Sequence, residues 1–88
     1  KLDELNMNVT SAIRKVEEAE AELAHAELAI ATATTPTSIE GGIARRGAIR
    51  AARAAGLDDW VEKLLGIFLA EDGIDEKLII ELKVLATS

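Results

Sequence analysis

The sequence predicts an all-α fold: a long N-terminal heptad helix plus three shorter helices, forming a coiled-coil or helical-bundle oligomer. Three observations predict it. Apolar residues recur every seven positions through the first third of the chain. The remainder divides into helix-length apolar stretches separated by turns rich in Pro and Gly. The core material is light for 88 residues, with one Trp, one Phe, no Tyr and alanine as the commonest apolar residue. A small chain usually needs a disulfide, a metal or a partner to be stable. There is no Cys and only one His, which leaves self-association.

The first helix rests on register. With Leu2 at position a, Val9, Val16, Leu23 and Ile30 also fall at a, while Leu5, Ala12, Ala19, Ala26 and Ala33 fall at d. A helix over residues 1–33 would be roughly 50 Å long, more than a small domain needs unless something runs beside it. The a row is bulky and the d row is alanine after Leu5. Small side chains let two helix backbones approach closely, which suits a near and antiparallel partner better than a parallel pair with Leu at d. Ile13 and Leu28 lie off the strict seam, so a second apolar contact and a bundle of three or more helices are expected.

The stretch "TATTPTSIEGG" ends the first helix, because Pro36 disfavours the helical state at Thr35. Thr37 and Glu40 read as a capping box for a second helix, which runs from Ile39 to Ala55 and stops at Gly56. Gly41, Gly42 and Gly47 weaken it by about 1 kcal/mol each against Ala. Asp58 or Asp59 is expected to cap a third helix that ends at Gly73. Its Trp60, Val61, Leu64, Leu65, Ile67 and Phe68 cover more than half the circumference, the pattern of a helix buried in a bundle or interface. Asp75 caps the fourth helix, with Ile74 and Ile79 spaced as a hydrophobic staple. There Leu78, Leu82 and Leu85 form one apolar face, and Ile80 and Val84 another. The chain thus divides into the heptad helix, 1–35, and a three-helix segment, 36–88, that packs on it or on a neighbouring chain.

Charge is segmented. Residues 1–35 carry three positive and seven negative charges, residues 36–57 four and one, and residues 58–88 three and eight, within a net charge of −6. At 100° per residue, Arg46, Arg50 and Arg53 share one face of the second helix, opposite Ala44, Ala48, Ala51, Ala52 and Ala55. Two roles fit that stripe. It can meet the acids of the other helices, in the same chain or a neighbour, and so select which helix lies next to which. Alternatively it binds nucleic-acid phosphates, and "AARAAGLDDWVEKLL" has the outline of a helix-turn-helix. Against the second role, the would-be reading helix opens with Asp58, Asp59 and Glu62, and the chain as a whole is acidic.

Other motifs are weak. Glu22 and His25 have the Glu-x-x-His spacing of bundle metal sites, but they fall at g and c, beside the seam. "EDGIDE" lacks the alternating acids of a calcium loop, and "SIEGGIARRG" lacks the Gly-Lys-Ser/Thr ending of a phosphate loop. Thiol catalysis is excluded, and His25 has no pocket for a serine triad. No apolar run is long enough to span a bilayer. "WVEKLLGIFLA" is flanked by acids where a membrane-surface helix would carry bases.

The expected function is non-enzymatic self-association, as an assembly, scaffold, coat or docking element, viral ones included. It needs neither cofactor nor metal, and a Cys-free chain suits the cytoplasm. The partner is a second copy, within a larger assembly or a parent protein. The seam of Leu2, Leu5, Val9, Ala12, Val16, Ala19, Leu23, Ala26 and Ile30 would pack on a partner helix, with Trp60, Leu64, Phe68, Leu78, Leu82 and Leu85 as apolar anchors. Arg46, Arg50 and Arg53 would receive an acidic surface or, in the alternative, phosphate.

Overall fold

The computed structural model of the chain describes residues 2–87, and the side chains of 9–87. Among these the fold is all-α, with four helices and no strand: α1 (Leu2–Thr32), α2 (Ile39–Ala54), α3 (Asp58–Leu69) and α4 (Glu76–Thr87).

The ends of the helices follow from local chemistry. At the end of α1 the Thr32 hydroxyl donates to the Ala29 carbonyl at 2.9 Å and Thr34 to that of Ile30 at 2.8 Å. The same two carbonyls also accept from the Ala33 amide, at 3.3 and 3.1 Å, so the hydroxyls reinforce the last turn. The chain then turns through Pro36. Ser38, not Thr37, caps α2: its Oγ accepts from the Gly41 amide at 2.9 Å, and its backbone is extended. The expected capping box is one residue early because the Ser38 carbonyl is the first to enter the α2 ladder, bonded by the Gly42 amide at 3.0 Å. A Cβ at Gly41 would fall on the Thr35 carbonyl oxygen, so this turn requires glycine there.

α2 ends in a Schellman turn. The Gly56 amide bonds the Arg53 carbonyl and the Leu57 amide reaches back to that of Ala52, both at 3.0 Å, with Gly56 at φ 75°. This turn carries Leu57 directly into the N-cap position of α3, where it makes no side-chain cap bond. Asp58 and Asp59 therefore do not cap α3. They occupy its first turn, where negative charge is favoured by the helix dipole. α3 stops at Leu69, before Gly73, which takes φ 81° in the following turn. Asp75 caps α4 as expected, accepting from the Leu78 amide at 2.8 Å.

α2 is the centre, in contact with each of the other three helices. Its alanine face is buried: Ala44, Ala48, Ala51 and Ala52 lie with Ala24 and Ala31 of α1 in the core. Small residues on both sides bring the two backbones close. The larger volume comes from Ile49, Val61, Leu64, Phe68, Leu78 and Leu82, with Leu28, Trp60, Leu65 and Leu85 packed at the edge. The molecule measures 56 × 23 × 18 Å. A 16-residue α2 is about 24 Å long against about 46 Å for α1. α2 therefore covers roughly half of α1, and every described residue of α1 before Glu20 is exposed.

Candidate assembly surface

The face α1 turns to its own chain is not the heptad seam. Ala24 and Ala31 are buried and Glu20, Ala21, Glu27 and Leu28 half-buried, a row spaced at three and four residues. The seam lies about 100° round the helix from that row. Val9 is 58% exposed, Val16 60%, Leu23 47% and Ile30 46%. Ala12, Ala19, Ala26 and Ala33 between them are exposed as well. Leu2 and Leu5 lie outside the described side chains. Within one chain the a and d rows thus form a continuous apolar surface facing solvent.

The apolar anchors of the C-terminal helices are taken up inside the chain. Leu64, Phe68, Leu78 and Leu82 are buried in the core, and Trp60 and Leu85 are half-buried against it. Their burial needs no partner. Trp60 also stacks on His25 across α1 and α3, with ring centroids 4.5 Å apart and planes tilted by 47°. His25 is thereby placed on the α3 flank of α1, away from the seam. Among the described residues no three His, Asp or Glu side chains gather as a metal site.

The arginine run divides by direction. Arg46 pairs with Glu81 of α4 at 3.3 Å, partly exposed on both sides. Arg53 donates to the Ala86 carbonyl at 2.6 Å, closing the end of α4. Arg50 is exposed and makes no hydrogen bond or ion pair within the described chain. Two of the three stripe arginines thus hold α4 on α2.

Sequence reasoning missed Arg45 as the principal one. It is 1% exposed. Its Nε and one terminal nitrogen grip Glu71 with two bonds, at 2.7 and 2.6 Å. The guanidinium also donates to the carbonyls of Ala31 and Thr34 at the end of α1, and to that of Gly41, each at 3.0 Å. Its carbon lies 5.7 Å from the centre of the Phe68 ring. Three segments therefore converge on one cation: the α1 C-terminus, whose dipole end is negative, the start of α2, and the turn after α3. The signal was present in the sequence. Arg45 lies 100° from Arg46, on the side of Ala48, Ala52 and Ile49, and a charge on the alanine face implies a buried partner.

Comparison with known protein families, with characterised proteins and with solved structures found no match. The functional reading therefore rests on the geometry of this chain.

Proposed function

We propose that this chain is a non-enzymatic self-association module, a helical bundle that assembles through the α1 seam. One observation carries the reading: four large aliphatic side chains in heptad register are about half exposed, while the core of the same chain is already filled. Scattered exposed apolar residues are ordinary, whereas a contiguous row is the signature of a contact surface. Scaffold, coat and docking elements all work by such burial.

Magnitudes set what to expect. Removing the remaining exposed half of Val9, Val16, Leu23 and Ile30 from water contributes on the order of 1 kcal/mol each. Eight such side chains in a pair are of the same size as the cost of association, about 4–15 kcal/mol. Assembly should accordingly depend on concentration, with the alanine row and flanking contacts deciding its strength.

Solution mass by light scattering, over a range of concentrations and at low and high salt, tests the reading. An oligomer that persists in high salt and is lost in Val16→Asp or Leu23→Asp is expected. Both side chains are exposed in the single chain, so the variants should keep wild-type helicity. A monomer at every concentration sinks the proposal. Phosphate binding by the arginine stripe is less well supported, because Arg46 and Arg53 are engaged with α4 and Arg50 alone projects freely.

A further inference from the structure

We infer that the partner is a second copy of this chain, lying antiparallel on α1 with Val16 opposite the partner's Ala19. The inference rests on the self-association reading and adds orientation and register to it. In this arrangement Val9 meets the partner's Ala26, Val16 the partner's Ala19, and Leu23 the partner's Ala12. Each of these layers joins one bulky side chain to one alanine, so a single spacing between the helix axes suits the seam from Val9 to Ala26. A parallel pair would place Val9, Val16 and Leu23 each on its own copy, and Ala12 and Ala19 on theirs, in alternate layers. The wide layers would hold the helices apart and leave voids at the narrow ones, which close-packed interfaces do not tolerate.

Shape by itself permits antiparallel registers one heptad apart, and charge chooses among them. Lys15 and Glu22 sit on the same flank of the seam, both exposed and neither in an ion pair among the described residues. In the register proposed, Lys15 faces the partner's Glu22, and two-fold symmetry makes that contact twice. Sliding one heptad in one direction brings Glu22 against the partner's Glu22. Sliding in the other brings Lys15 against the partner's Lys15. A parallel pair sets Glu22 toward the partner's Glu27 but Lys15 toward the partner's Glu20, so packing and not charge disfavours it. Like charges disfavour the two slid antiparallel alignments, and the exposed row from Val9 to Ala26 supplies the contact.

The absence of cysteine from the chain makes the test direct. Two variants, Val9→Cys and Ala26→Cys, both at exposed positions, are oxidised separately and after mixing through denaturant and refolding. The expected result is a disulfide-linked dimer in the mixture and only monomer from either variant alone. In the proposed register two copies of residue 9 lie about 26 Å apart. Linkage of Val9→Cys to itself would establish a parallel seam and overturn the inference while leaving self-association intact. An oligomer by light scattering that gives no linked product in the mixture would also overturn it, by placing the contact elsewhere. A monomer by light scattering would remove both readings together.

Discussion

At the scale of single residues, Arg45 dominates. Arg45→Ala leaves the Ala31, Thr34 and Gly41 carbonyls without this donor and Glu71 without its partner. Breaking one side of a buried pair costs about 3–5 kcal/mol. The lower end is expected here, since Glu71 keeps 26% of its side chain exposed. Chemical denaturation of the two proteins measures the difference. Arg45→Lys should recover little of it, because an ammonium cannot reproduce the planar, two-pronged grip. The glycines give a contrast of size. A Cβ at Gly47 would run into the Glu27 carboxylate, whereas one at Gly66 would meet nothing within 4 Å. Gly47→Ala should raise the thermal midpoint less than Gly66→Ala, because the Glu27 side chain has to swing aside. Gly66→Ala, inside α3 and exposed, should raise stability by roughly 0.4–1 kcal/mol by restricting the unfolded chain. The place of Arg45 on the alanine face was legible in the sequence, but neither its partners nor the Gly47 contact was, because both depend on which helix lies opposite, and spacing along one helix does not contain that.

At the scale of elements, the sequence was much more informative. Four helices were legible from period and punctuation, and Asp75 was correctly read as a cap because, of Asp75, Glu76 and Lys77 between Ile74 and Leu78, it alone is a favoured N-cap residue. Ser38 was missed by one residue because local preference ranks Thr37 and Ser38 nearly alike, whereas Leu57, a poor N-cap by preference next to Asp58 and Asp59, holds the position because the turn at Gly56 places it there. The distinction has a measurable consequence. Ser38→Ala should cost about 1 kcal/mol of stability and Thr37→Ala much less, as read from the shift in urea midpoint. The faces of α1 were legible only as apolar. Heptad spacing in Val9, Val16, Leu23 and Ile30 implies a contact, but it does not distinguish a contact within the chain from one between chains. The structure assigns the in-chain role to the neighbouring Ala24, Leu28 and Ala31 row.

At the scale of the whole molecule, the shape is a compact bundle on one half of α1 with the other half projecting, 56 Å end to end. The described side chains of the projecting half, residues 9–19, are all exposed, and helices are stabilised mostly by packing of an apolar face. Its amide hydrogens should therefore exchange far faster than those of α2 when the protein is dilute. Raising the concentration should slow exchange over residues 9–19, if the seam is where copies meet. Protection in that segment that is unchanged across the concentration range would argue that the contact lies elsewhere.

The packing of Trp60 on His25 has an optical consequence. With one Trp and no Tyr in the chain, near-ultraviolet emission comes almost wholly from a single ring seated between α1 and α3. Fluorescence is thus a point reporter of α1 docking, while far-ultraviolet circular dichroism averages over all four helices. Superimposable unfolding curves from the two signals would show that α1 leaves the bundle only when everything melts. An earlier fluorescence transition would mean that α1 peels away first, and it would time that step with the protein's own chromophore.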